Sequence, residues 1–163
     1  GKGRFLREIP ISQLGEDKQE EMSKNLERYS LYEAYEVRQA LETKAMDLIV
    51  RNATDSDLDE IETAYQTMLL RFAETNTTTG EFELHQLYAK KTGSVFMEQT
   101  LNIVLSTILE MMHTTSHNVM DMHQVEEEKA DHRRIIDALH KRDSSAAQQA
   151  MYDHIQHTLD ILQ

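Results

Sequence analysis

His132 and His154 stand on either side of Asp143, the first 11 residues before it and the second 11 after it. If the segments carrying them form a helical hairpin that turns near Asp143, positions equidistant from the turn lie at one height, because both helices rise about 1.5 Å per residue. The two imidazoles then meet, provided both point inward. His132 precedes Ile135, Ile136 and Leu139 on an apolar stripe, and His154 shares a stripe with Ala147, Met151, Ile155, Thr158 and Leu162. A third histidine, His85, lies with Phe82, Tyr88 and Ala89. Glu81 precedes it at the i, i+4 spacing that puts two side chains on one helix face.

Three inward imidazoles and one carboxylate can converge inside a bundle and hold a divalent metal ion. The chain has no cysteine, so any metal here is bound by His, Asp or Glu. A lone histidine on an apolar stripe is more often a core residue satisfied by one hydrogen bond. Three together leave several donors and acceptors to be satisfied separately, whereas one ion satisfies all of them. Spacing alone leaves both readings open. His157, one turn beyond His154, is an alternative ligand, and His113, His117 and His123 lie in a polar segment and read as solvated.

Arg38 also falls on an inner stripe, and a buried guanidinium needs an anion. One reading is an ordinary helix pair with Glu42 at i+4, or with Glu36. The other is that Arg38 reaches the same cavity and makes a two-pronged contact with a ligand carboxylate.

These residues need helices to position them, and the pattern supplies helices. Five glycines and one proline in 163 residues leave too few turns for an all-β fold. From Leu31, apolar residues repeat at spacings of three and four: Ala34, Tyr35, Arg38, Leu41, Ala45, Leu48 and Ile49, then Leu58, Ile61, Ala64 or Tyr65, Met68 and Phe72. Thr54 or Asp55 caps the second of these helices, and Asp143 caps the last. A shorter helix from about Gly80 to Lys91, a long apolar one after Ser94 and one from about Val119 to His140 complete the set. The expected fold is all-α, an antiparallel bundle of six or seven helices.

Residues 1–11 are different in kind: a basic turn entering a short strand that Pro10 stops. They carry +2 of a net charge of −12, so the remainder carries −14 and repels phosphate backbones. Residues 12–28 are polar and charged and read as a solvated linker, and 29–163 form the helical domain. No stretch approaches the roughly 20 apolar residues that cross a bilayer, and the first residues lack the apolar core of a signal peptide. The expectation is a soluble protein of the cytoplasm without membrane contact.

The segments "LYEAYEVRQALE", "FELHQLYAKKTGS", "DHRRIIDAL" and "AMYDHI" together resemble the C-terminal effector-binding domain, the FCD domain, of the FadR subfamily of GntR-type bacterial transcription regulators. Four weak motifs in order at the right spacing, from about Leu31 to His157, make the resemblance specific. It implies that His85, His132 and His154 are ligands of a divalent metal, with zinc first and nickel or manganese as alternatives. Glu81 falls where the family usually has Asp, so its role as fourth ligand rests on a longer side chain. The usual turn Asn is Ser94 here, and Asp131 stands where Glu is common. "GKGRFL" is similar to the wing of the winged helix-turn-helix domain that precedes the sensor in this family. DNA is then met only through a winged-helix domain missing from this chain.

The expected function is a sensor in which the metal and Arg38 bind a small organic-acid or sugar-acid effector, in a homodimer whose arrangement the effector alters. Two other classes fit the same residues. One is a metalloenzyme acting on a small carboxylate, although no general base is assignable beyond the ligands. The other is a structural helical module with buried histidines and no ligand.

Overall fold

In the computed structural model, residues 16–75, 79–115 and 122–163 are described, with side chains for 30–75, 80–112 and 124–163. Among them the chain forms six helices and no strand: α1 (Glu16–Asn52), α2 (Asp55–Thr75), α3 (Thr79–Lys91), α4 (Val95–Thr115), α5 (Met122–His140) and α6 (Ser144–Leu162). This is the all-α bundle that the periodicity predicts. α1 begins at Glu16, so most of the stretch read as a linker, 12–28, is helical backbone. The wing-like residues 1–11 and the side chains of His113, His117 and His123 lie outside the described residues.

Each helix is held by the apolar face its sequence encodes. α2 buries Leu58, Ile61, Tyr65, Met68 and Phe72, a strict three-and-four spacing that keeps the stripe on one side. α1 is more deeply embedded, since it packs against α6, α4, α3 and α5. Its interior face is accordingly wider than the sequence stripe. Tyr35, Arg38, Ala45 and Ile49 are buried as expected, Ala34, Leu41 and Leu48 are half-buried, and Leu31, Glu42 and Met46 also lie inside.

Local chemistry sets the ends. The Thr54 side chain accepts from the Asp57 amide at 3.2 Å while the Thr54 amide donates to Asp57 Oδ2 at 2.8 Å, a reciprocal box that satisfies two otherwise orphaned donors. Asp143 caps α6, accepting from the Ala146 amide at 3.0 Å. Just before it Arg142 adopts a left-handed φ of 54°, and its guanidinium donates to the Ala53 carbonyl at 2.6 Å and to Asp55 at 2.7 Å. The α5–α6 turn is thereby tied to the α1–α2 turn. Gly93, with φ 67°, ends α3 where a Cβ would stand 3.3 Å from Asn52 Cβ, so glycine answers both the backbone and the close approach.

The consequence for function is an axis through the bundle. α1, α3, α5 and α6 converge on it, and their buried polar residues are there. Among the described residues no helix is long and apolar enough to cross a membrane.

Candidate metal centre

α3, α5 and α6 each contribute one histidine to this axis: His85, His132 and His154, exposed by 0%, 0% and 1%. The hairpin does place His132 and His154 at one height, with ring centroids 4.5 Å apart, and His85 completes the triangle at 5.1 and 5.2 Å. His85 Nε2 and His154 Nε2 face each other at 3.2 Å. Glu81 Oε1 lies 3.3 Å from the first and 3.5 Å from the second. One ligand atom from each of Glu81, His85, His132 and His154 falls within 4.8 Å of all the others, and all four residues are buried.

The outer edges of two of the three rings are anchored. Glu42 on α1 contacts His85 Nδ1 and the Tyr88 hydroxyl lies 3.3 Å from His132 Nδ1, whereas His154 Nδ1 is buried without a hydrogen-bond partner, 3.5 Å from Asp131 Oδ2. Such partners fix the tautomer and turn Nε2 toward the centre, as outer partners of metal-bound histidines do. Asp131 is itself tethered, accepting from Arg134 and pairing with His157 Nδ1 at 2.9 Å. His157, the alternative ligand, is 45% exposed and sits on the surface side of Asp131, away from the triangle.

Arg38 is 1% exposed, and both readings of it meet in one arrangement. Its Nε donates to Glu42 at 2.6 Å, the i+4 pair, and its Nη2 donates to Glu81 at 3.2 Å, across to the metal cluster. The rings of Tyr35 and Phe82 flank the guanidinium, each centroid 5.2 Å away. Glu36, the other partner considered, is exposed.

The electrostatics reflect a crowd of buried charge. Burial alone would raise the Glu42 carboxyl, but His85 and Arg38 outweigh it and hold it at about 2. Glu81 is held well below the usual range against the same burial penalty by His154, His85 and Arg38. Burial, with the electrostatic influence of His154 and His85, pushes His132 well down. Burial opposes a charge on His154 too, yet Glu128, Asp131 and Glu81 hold it up at about 10. Burial and repulsion from Glu81 push Glu128 up to about 8.

The donors fit a divalent ion. His132 Nε2 is buried without a hydrogen-bond partner, and two imidazole nitrogens at 3.2 Å face a carboxylate oxygen. Three nitrogens and one oxygen suit zinc, nickel, cobalt or manganese. Two members of the site are not identified by sequence reasoning. Glu42 enters it only as a partner for Arg38, because one helix face says nothing of His85. Glu128 is overlooked, although Glu128 to His132 repeats the i, i+4 spacing of Glu81 to His85.

Residues 33–157 match the family model described as the FCD domain. The HTH-type transcriptional regulator LutR of Bacillus subtilis (strain 168) is 24% identical over 167 residues, which cover 99% of this chain and 74% of LutR. Two solved structures share the fold. Streptococcus agalactiae GntR superposes with a TM-score of 0.66 at 22% identity, over 80% of this chain and 58% of its own. E. coli McbR/YncC has the same TM-score, 0.66, at 16% identity, over 80% of this chain and 66% of its own. The chain thus spans between half and two thirds of each of these structures.

Proposed function

The chain belongs to the FCD-domain family of GntR-type regulators, and from that premise we propose that it senses a small carboxylate through a metal ion bound in the bundle. The observation that carries this reading is the buried quartet of Glu81, His85, His132 and His154 within 4.8 Å of one another. These four side chains hold a divalent ion, zinc first among the candidates, with nickel and manganese next. The ion supplies open coordination positions that accept a carboxylate oxygen.

Arg38 supplies the second contact. Its guanidinium is buried beside the quartet and hydrogen-bonded to Glu81, so an acid bound there finds a charge already desolvated and oriented. Glu42 keeps Arg38 and His85 in register by touching both. Tyr35 and Phe82 close the apolar side.

The effector acts by binding one arrangement of a homodimer better than another, since equal affinity shifts nothing. DNA is contacted by a winged-helix domain rather than by this acidic body. The protein works in the cytoplasm and turns over no substrate.

Thermal unfolding tests the proposal. Protein stripped with EDTA is reloaded with zinc, nickel or manganese and then offered a panel of organic and sugar acids. Stepwise stabilisation is expected, first by metal and then by one acid. Each step reaches about 2.7 kcal/mol when the free ligand is 100-fold above its dissociation constant. No response to either addition makes the histidines structural, and consumption of the acid makes the site an enzyme's.

A further inference from the structure

α4 has two apolar sides, and the bundle covers one of them. Leu101, Leu105 and Ile108 are buried in the core, while on the opposite side Phe96 is 81% exposed and Val95 and Ile103 are 69% exposed each. Phe96 and Ile103 stand seven residues apart on one stripe, with Thr107 a turn further along. A helix that is apolar all round is normally buried, and a contiguous apolar strip left open marks a contact surface.

Charge says what covers it. The chain carries −12, so two copies repel wherever their acidic surfaces meet. α2 exposes Asp59 and Glu60, α5 exposes Glu126 and Glu127, and α6 exposes Asp160. From Val95 to Leu109, by contrast, α4 holds a single charged residue, Glu98, and that one is half-buried. A second copy meeting the first here brings apolar area together without bringing acids together.

We propose that α4 packs against α4 of a second copy, antiparallel about a two-fold axis at Ile103. In a two-fold contact each residue faces its image across the axis, so Ile103 meets itself and Gln99 meets Thr107 of the partner subunit. Phe96 then meets Glu110 of the partner subunit, whereas a parallel pairing would set the exposed Glu110 against its own copy. A strip about 30 Å by about 10 Å is about 300 Å², and a stable interface takes roughly 800 Å² from each partner. α1, which packs against α4, supplies more apolar surface in Val37, 51% exposed, and in the half-buried Leu41 and Leu48.

This rests on the homodimer in the reading above and not on the metal. It also gives that reading a physical connection. The Tyr35 ring lies 5.2 Å from the Arg38 guanidinium, and its hydroxyl donates to Met112 Sδ on α4 at 3.5 Å. The helix that meets the partner is thus in contact with a residue that flanks Arg38.

Because the chain has no cysteine, single introduced thiols report the register. Ile103→Cys, Gln99→Cys and Thr107→Cys are oxidised with copper phenanthroline, and masses are read by light scattering. Ile103→Cys is expected to form a disulfide-linked dimer nearly completely. Gln99→Cys and Thr107→Cys are expected to cross-link little alone and readily when mixed. Ile103→Glu and Phe96→Glu are each expected to take the wild type from about twice the 18.9 kDa chain mass to the chain mass, with helical circular dichroism unchanged. If either glutamate variant is not helical, serine at the same position replaces it. A wild-type dimer that survives these substitutions, or Gln99→Cys coupling to itself as readily as Ile103→Cys, overturns the inference and leaves a homodimer formed elsewhere. A wild type that stays monomeric overturns the homodimer and the inference together, the face then awaiting a different protein, and leaves the metal reading standing.

Discussion

Arg38 and Glu81 meet at 3.2 Å across 43 positions of chain, on α1 and α3, and both are buried. The contact joins the guanidinium to the carboxylate that also faces His85 and His154. An acid bound at Arg38 and an ion bound by the quartet would therefore be coupled through one side chain.

Removing the cation of this pair leaves two carboxylates, Glu42 and Glu81, without their shared partner in the interior. Breaking a buried pair from one side costs about 3–5 kcal/mol. Arg38→Met is expected to lower unfolding free energy by that order in EDTA, measured with urea. Arg38→Lys is expected to rescue little, since a single ammonium does not reproduce Nε and Nη2 contacts to two separate carboxylates.

Glu42 touches no proposed ion position and acts through His85 Nδ1. Glu42→Gln keeps the shape but removes the charge that orients the ring. Zinc or nickel affinity is expected to fall about 10–100-fold, read by competition with a chelator. An unchanged affinity would show that the ring is held by packing alone.

The α6 cap sits at the turn that sets His132 level with His154. Asp143→Ala removes the acceptor for the Ala146 amide and is expected to cost about 0.5–2 kcal/mol, whereas Asp143→Asn, which caps about as well, is expected to leave stability nearly unchanged. Metal affinity of the folded protein should be retained in both, because neither touches the site. A loss of binding without a loss of stability would refute that separation.

Acid sensitivity has a component far from the centre. Arg133 on α5 donates to both Glu62 oxygens on α2 at 2.9 Å and holds that carboxyl below its ordinary range. A depressed carboxyl stabilises the fold above its unfolded-state value and loses that contribution as the pH falls through the folded-state value. Both partners are about a third exposed, so the effect is about 0.2–1 kcal/mol. The gap in stability between wild type and Glu62→Gln is expected near neutral pH and should close as the pH falls below the ordinary glutamate range.

Much of this architecture is legible along the chain. The stripes on α2, α5 and α6 follow from three-and-four spacing, and Asp143 is recognisable as a cap because a short acceptor precedes a run of good helix formers. The level pairing of His132 with His154 follows from equal distances to that cap, which is arithmetic on a fixed helical rise. Periodicity is less informative for α1. A stripe count presumes one buried side, whereas α1 packs against four helices, and Glu42 and Met46 are drawn inside with the residues expected there.

By itself, then, the chain determined its helices, their caps, and the types and heights of the histidines, because these depend on neighbours within a few residues. Only tertiary packing decided which carboxylates share the interior with them. Whether Glu42 contacts His85, Glu81 reaches Arg38 or Glu128 faces His132 and His154 depends on how helices distant in sequence rotate about their axes against one another. That rotation is set by the sum of many apolar contacts across the bundle, and no local spacing records it.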